Sequence, residues 1–450
     1  MKILLVAGFF PPYAPISATR VNKLAKYFHQ TGHDIRVLAA HNQHYPPVMA
    51  VEIPADRVVF APVFEVTDAP SLAVKAIRRL LGGGDPVPLS PASQSGDGAG
   101  KKGAAPAKPC FLSDVKSRLM EFYRSMVSVP DARIGWYPYA LREGRKMLKD
   151  WTPDVIYASA PPHTSLLVAS RLAREFNIPW FCEYRDLWGD HPYYDGSWLR
   201  RLIEKPLENH VLASCRGLVT VTGTWAEHLK KVHGLPVAFV MNGFDPDDYA
   251  EPGSLKTLDA DHLTILYAGG IYPGKRDPST LFKAMKALGK AAEGIRVHFY
   301  MPPENIAAVK EMAIEQGVGT QVVLHDLVKR DAVIDLQQRS DILLLLRWDS
   351  PEENGVLAGK LFEYIGSGRP ILSLGSTSGE AADFIREYGL GFVSKDAGEV
   401  ADQLRKWLEM KAGGGVPAPK SSNLDIFSRP FQFKKLESFL SALLKKQAGI

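Results

Sequence analysis

Cysteine is scarce: Cys110, Cys182 and Cys215 are the whole complement, with no C-x-x-C pair among them. A disulfide framework and a cysteine-bound zinc are therefore excluded as organising features, and the scarcity fits a reducing compartment. Long apolar runs are lacking too, and nothing reaches the roughly 18–20 uninterrupted residues of a membrane-spanning helix. The short run in MKILLVAGFFPPY meets Pro11 and Pro12 without a small-residue cleavage site, so it reads as a first strand and not a signal peptide. Charge of one sign is only slightly in excess, because 54 Lys and Arg against 49 Asp and Glu leave +5. That favours phosphate-bearing or membrane-surface partners and is too weak to indicate nucleic acid.

Several familiar motifs are also missing. No G-x-G-x-x-G follows the first strand, where GFFPPY stands, and no G-x-S-x-G elbow occurs, so dehydrogenase and α/β-hydrolase readings lose their main support. GGIYPGKR (269–276) falls short of a nucleoside-triphosphate loop because Arg276 stands where a magnesium-binding hydroxyl is required. Asp277 and Pro278 read as helix cap and first helical residue, which puts Lys275 ahead of the helix. His29 and His33 have i,i+4 spacing, but Gly32 ends the helix between them and no third ligand is near. Asp245-Pro-Asp247 has a metal-transferase spacing yet belongs to an NGFD turn. The reading is that no metal is required.

What is present is the composition of a folded chain, 46% hydrophobic and 23% charged, at a length of 450 residues that suits two domains or three. KILLVA, DIRVLAA, DVIYAS, WFCEYR, GLVTVT and VAFVMN are strand-like and alternate with helical segments at 17–31, 166–176 and 198–215. A second series follows as LTILYAG, IRVHFYM, QVVLHDL, ILLLLRW and PILSLG. Strands apolar throughout and separated by helices mean parallel sheets covered on both faces. The expected layout is α/β with two doubly wound domains: residues 1–245, a hinge at 246–262, residues 263–428, and a last helix over 429–450 crossing back to the first domain. Residues 82–109, dominated by Gly, Pro, Ala and Ser, are expected to form a disordered insertion. SLAVKAIRRLL before it and VKSRLMEFYRSMV after it are basic and amphipathic, either packing on the N-terminal domain or meeting an anionic membrane surface.

Ligands of such sheets are expected in the cleft at the strands' carboxyl ends. The small-residue loop with Gly269, Gly270, Lys275 and Arg276 is either a solvated turn or a cradle that brings backbone N–H groups and two cations to a diphosphate. Ala358, Gly359, Lys360 and Leu361 open a short helix, and Glu363 within it either complements the helix dipole or binds ribose hydroxyls. Ser17, Thr19 and Arg20 lie at another helix start that suits an anion, against the ordinary reading of a capping serine and a solvated arginine. His163 and the Arg185–Asp186 pair end strands facing the same cleft. A surface histidine and a structural ion pair are their alternatives.

Taken in order, FFPPYAPISATRVNKLAKYFHQTGHDIRVL, PDVIYASAPPHTS, IPWFCEYRDLW, VMNGFD, YAGGIYPGK and AGKLFEYIGSGRPIL resemble glycosyltransferase family 4, of the bacterial polysaccharide-biosynthesis type. The resemblance covers nearly all the chain outside 82–109 and rests on the ordered set. It implies the GT-B fold, two Rossmann-like domains with a cleft between them. By it Lys275 matches the lysine that neutralises the nucleotide diphosphate, the backbone of Ala358–Leu361 the helix start facing those phosphates, and Glu363 the ribose acid. It places the Arg185–Asp186 segment opposite the donor. Two departures stand out. The family often has arginine where this chain has Gly270, with Arg276 or Arg347 available to substitute. It also often has a donor-sugar glutamate where Gly355 stands, with Glu352, Glu353 or Asn354 as replacements.

The expected activity is transfer of a sugar from a nucleotide-diphosphate donor, UDP-linked, to a glycan or polyprenyl-diphosphate-linked acceptor, with retention by family resemblance. Asp186, His163 and Arg185 are the expected catalytic group, and no cofactor beyond the donor is required. The expected setting is cytoplasmic, with peripheral contact on the inner face of an anionic membrane. A nucleotide-sugar epimerase of related fold and a catalytically silent glycan-binding scaffold are the alternatives.

Overall fold

The computed structural model describes residues 1–13, 18–42, 47, 49–64, 66, 123, 126–190, 197–251, 255–421 and 423–448. Ser17, Cys110, the 82–109 insertion, SLAVKAIRRLL and most of VKSRLMEFYRSMV lie outside the described residues.

Apolar runs such as KILLVA cannot face water on either side, and each becomes a strand buried on both faces. The first sheet has seven parallel strands, β1 (Lys2–Ala7), β2 (Asp34–His41), β3 (Val58–Pro62), β4 (Val155–Ala160), β5 (Trp180–Tyr184), β6 (Gly217–Thr220) and β7 (Val237–Phe239), in the order β3-β2-β1-β4-β5-β6-β7. Helices α1 (Ala18–Gln30), α2 (Tyr137–Asp150), α3 (Thr164–Phe176), α4 (Trp198–Leu212) and α5 (Gly223–His233) accompany it. The second sheet has six parallel strands, β8 (Leu263–Ala268), β9 (Ile295–Tyr300), β10 (Val322–His325), β11 (Ile342–Leu346), β12 (Ile371–Leu374) and β13 (Gly391–Ser394), in the order β10-β9-β8-β11-β12-β13. Its helices are α6 (Ser279–Leu288), α7 (Pro303–Glu315), α8 (Arg330–Arg339), α9 (Gly359–Ser367), α10 (Glu380–Glu387) and α11 (Ala397–Ala412), and α12 (Arg429–Ala448) ends the chain.

Alternate residues of each central strand feed two separate cores. Leu4 and Val6 pack with Ala140, Leu166 and Leu172, whereas Ile3 and Leu5 pack with Val21, Leu24 and Phe28 of α1. Phe433, Leu436 and Leu440 of α12 are buried in that second N-terminal core, so the last helix belongs physically to the first sheet. Each such side chain contributes about 1.5–3 kcal/mol when fully buried. In the second sheet Ile265 packs with Phe282 and Trp407, and Leu266 with Leu361 and Phe362. The chain leaves the first unit and returns to it side by side: the Phe244 N–H donates to Phe427 O at 2.9 Å and the Arg429 N–H to Phe244 O at 2.7 Å.

Two strands escape the sequence reading, β3 and β13, and both are sheet edges with only partial burial. GFVS is too short to stand out, whereas VVFAP is an apolar run that the sequence reading passes over. Two helix ends also differ. The helix expected over 198–215 stops at Leu212, and α6 begins at Ser279 with Pro278 just outside it. Asp277 accepts from the Ser279 and Gly274 N–H groups at 3.0 and 2.6 Å, which fixes the turn before α6. Among the described residues no helix is long and apolar enough to cross a membrane.

Candidate active site

In both sheets the strand order reverses direction beside the first strand, between β1 and β4 and between β8 and β11. Loops leaving the carboxyl ends at such a point diverge to opposite faces and open a crevice. A cavity of about 310 Å³ lies where the two crevices face one another, and Thr19, Arg20, Arg185, Asp186, Arg276 and Glu363 are among its lining residues. A larger hollow of about 500 Å³ lies behind α9, against Tyr249, Gln338 and the start of β12. It is on the wrong rim of the sheet for the residues singled out above.

The N-terminal wall is anchored from within. Arg20 is 4% exposed and fully engaged: Nε and Nη2 donate to Glu183 Oε1 at 3.0 and 2.9 Å, while Nη1 and Nη2 donate to the carbonyls of Met241 and Val240. Glu183 also accepts from Tyr157 and Ser159, and the Arg20 guanidinium holds its carboxyl below the usual range against the opposing effect of burial. Arg20 therefore braces the cavity floor. Arg185 donates to the carbonyls of Ala160 and Pro161, which ties the start of its loop to the end of β4. Asp186 is exposed at the cavity wall.

His163 precedes α3 and stacks on Trp188 with centroids 4.9 Å apart. Its Nε2 is buried without a hydrogen-bond partner, and burial holds its pKa below the ordinary imidazole value despite the pull of Asp131 and Asp186. His163 is not among the residues lining the cavity; it meets Asp186 from behind the wall, through a hydrogen bond to the Asp186 backbone.

On the C-terminal wall, Ala358 and Gly359 place the α9 N-terminus at the cavity, and of its first N–H groups that of Leu361 turns back to Ala358 O at 3.0 Å. Arg276 lines the cavity and pairs with the buried Glu353, whose carboxyl is pushed up to about 7 by burial. Arg347, the other candidate substitute for the family's arginine, is turned away and donates to the carbonyls of Ser376 and Ser378. Lys275 sits on the exposed turn beside Gly269 and Gly270, with its ammonium 4.4 Å from the Trp348 ring centroid. Lys360 is enclosed over the Tyr267 ring at 4.2 Å, and burial brings its pKa down to about 8. Leu361 points into the core and supports the helix. Glu363 lies 3.7 Å from Arg330 Nε.

The two departures have steric accounts. A Cβ at Gly270 would stand 3.2 Å from Asn305 Oδ1, and one at Gly355 would stand 3.1 Å from Trp225 Nε1 and 3.2 Å from Thr224. The first unit's α5 thus occupies the space that a larger residue at 355 would need.

Sequence reasoning missed Arg330 and Arg429. Arg330 bridges Glu363 to Asp248 (2.9 Å), which also binds Lys23 of α1 at 2.7 Å. Asp245 and Asp247 complete the cluster by holding Lys23 and Lys26. Arg429 lines the cavity from the start of α12. Neither arginine lies in a motif, and only the folded chain brings them to the site.

Residues 111–243 match the family described as glycosyl transferase 4-like domain. No curated protein sequence matches the chain. Among solved structures, HepE of Anabaena in complex with UDP and glucose is 12% identical, with 98% of this chain and 100% of that one covered at a TM-score of 0.59. A glycosyltransferase from Rickettsia africae is 13% identical, with 99% of both chains covered at a TM-score of 0.57. Sucrose-phosphate synthase from Thermosynechococcus elongatus is 11% identical, with 100% and 98% covered at 0.56. At these identities the likeness is one of fold. The two facing parallel sheets of this chain are the GT-B architecture.

Proposed function

We propose that this protein transfers a sugar from a UDP-sugar to a glycan or polyprenyl-diphosphate-linked acceptor, with retention and without a metal, in cell-surface polysaccharide assembly at the cytoplasmic face of the membrane. The observation that carries the reading is the cavity between the two switch points, where the α9 N-terminus, Arg276 and Arg429 meet Glu363 and Asp186. Such a surface suits a diphosphate on one side and a sugar hydroxyl on the other. The neighbour HepE, solved with UDP, glucose and UDP-glucose, supports the choice of donor.

In this reading Glu363 accepts hydrogen bonds from ribose hydroxyls, and Arg330, 3.7 Å away, orients it. Arg276, Lys275 and the α9 N–H groups stabilise charge on the departing diphosphate. The bond from the sugar's anomeric carbon to phosphate oxygen breaks as the acceptor oxygen attacks on the same face. The acceptor proton passes to the departing phosphate oxygen, so no protein nucleophile is needed. Asp186 orients the acceptor hydroxyl, and Arg185 and His163 hold the Asp186 loop.

Calorimetric titration with UDP, GDP and ADP, followed by a transfer assay with UDP-sugars, tests the reading. UDP is expected to bind most tightly. Failure of every uridine nucleotide to bind at millimolar concentration overturns it.

A further inference from the structure

The cavity is lined by two buried residues that each carry a polar atom without a partner among the described residues. Arg429 is 7% exposed and Thr19 is 8% exposed, and both line the cavity. Arg429 Nη1 and Thr19 Oγ1 have no hydrogen-bond partner among the described residues. Most buried polar groups are satisfied, and leaving one unsatisfied is costly, more so when it is charged. Two such donors at one cavity, one of them cationic, are a built vacancy for an acceptor that carries negative charge.

The neighbouring ions do not fill that role. Arg20 spends its guanidinium on Glu183 and two carbonyls, and Arg276 is paired with Glu353. Asp245 and Asp248, the acids nearest Arg429 in its electrostatic surroundings, hold Lys23, Lys26 and Arg330. Arg429 itself is fixed by its Nε donating to Asn242 O at 3.3 Å and by its own N–H in the paired crossing at Phe244. Its guanidinium is thus positioned without being neutralised. Thr19 lies in the first turn of α1, where the helix adds partial positive charge.

We propose that Arg429 and Thr19 form an oxyanion subsite for a phosphoryl group on the hinge side of the cavity. The proposal rests on the transferase reading for the identity of the cavity and assigns to Arg429 and Thr19 together a contact that the reading does not specify. The phosphoryl group has two sources, the diphosphate of the nucleotide sugar and the diphosphate of a lipid-linked acceptor.

The test is calorimetric titration of the full chain and of its Arg429→Met and Thr19→Val variants, with melting temperature as the check on folding. The probes are UDP, uridine, pyrophosphate, and farnesyl diphosphate added at saturating UDP. Arg429→Met is expected to weaken a diphosphate probe about tenfold or more, and Thr19→Val about threefold or more, with uridine unchanged. Loss confined to UDP and pyrophosphate assigns the subsite to the donor, and loss confined to farnesyl diphosphate assigns it to the acceptor. Affinities within twofold of wild type for all diphosphates in folded Arg429→Met overturn the proposal. If that variant does not fold, the nearly isosteric Thr19→Val decides by the same criterion. Wild type that binds pyrophosphate but no uridine nucleotide refutes the transferase reading and leaves the subsite standing. Wild type that binds UDP, with variants equal to it for every diphosphate, refutes the subsite alone.

Discussion

Lys360 and Asp186 show how differently two charged residues near one cleft are constrained. Burial over Tyr267 brings the Lys360 pKa down to about 8, against the pull of Glu363, whereas an unfolded lysine keeps its proton to about pH 10.4. Between those values the unfolded chain binds more protons than the folded one, so stability from this group rises with pH across that window. Wild type should gain on Lys360→Met by a few degrees in melting temperature between about pH 8 and 10. A flat difference would show that the ammonium is solvated. Asp186 is exposed and contributes little packing. Asp186→Asn should therefore leave melting temperature and UDP affinity near wild type while lowering turnover by about 10²-fold or more. A lowered melting temperature with normal turnover of the folded fraction would make the residue structural. At this scale the sequence is only half legible. Glu363 and Arg276 stand in recognisable segments, but Arg429 becomes a cavity residue only because the chain returns beside Phe244, and no local pattern encodes that return.

Elements were legible where burial is two-sided. KILLVA and ILLLLRW announce central strands because neither face can tolerate water, while GFVS is too short to read and the apolar run VVFAP is passed over, its edge position being set only by the sheet order. Helix α9 carries a constraint that its sequence hides. A Cβ at Gly366 would lie 2.5–2.8 Å from the Tyr249 ring, and Tyr249 in turn donates its hydroxyl to Glu363 O at 3.2 Å. Replacing a helical glycine by alanine ordinarily stabilises by about 0.5–1 kcal/mol. Here overpacking, typically about 1–3 kcal/mol, opposes it and wins because the added methyl would meet a rigid ring well inside contact distance. Gly366→Ala should lower the melting temperature and weaken UDP binding by displacing α9 and Glu363. Unchanged stability would mean that Tyr249 moves aside without cost.

At the scale of the whole molecule, the two units meet through the paired crossings at Phe244 and Ser428, through the ion cluster around Lys23 and Arg330, and across the cleft, where Val356 packs on the first unit's core and a further point carries charge. That point is Glu380 at the start of α10, which accepts from the N–H groups of Gly223 and Thr224 at 3.0 and 2.6 Å. A carboxylate at a helix N-terminus gains both the unpaired donors and the dipole, so Glu380 holds α5 of the first unit against the second. The contact lies beside Gly355, whose lack of a side chain lets Thr224 and Trp225 approach. The sequence could not show this arrangement, because residues 223 and 380 become neighbours only when both sheets are built and the cleft between them is closed. Charge-assisted hydrogen bonds of this kind contribute about 1.5–3 kcal/mol when enclosed and less at a partly exposed site. Neither core is touched, so Glu380→Ala should leave the melting temperature of each unit close to wild type. It should shift the population toward an open cleft, seen as a larger radius of gyration in solution scattering without ligand. Because an open cleft must close before both walls engage the donor, the apparent UDP-sugar affinity should fall by the fraction of closed molecules lost. Glu380→Gln keeps one acceptor oxygen and loses the charge, so it should lie between the two. Scattering and affinity both unchanged in Glu380→Ala would show that the crossings and the ion cluster alone set the closure.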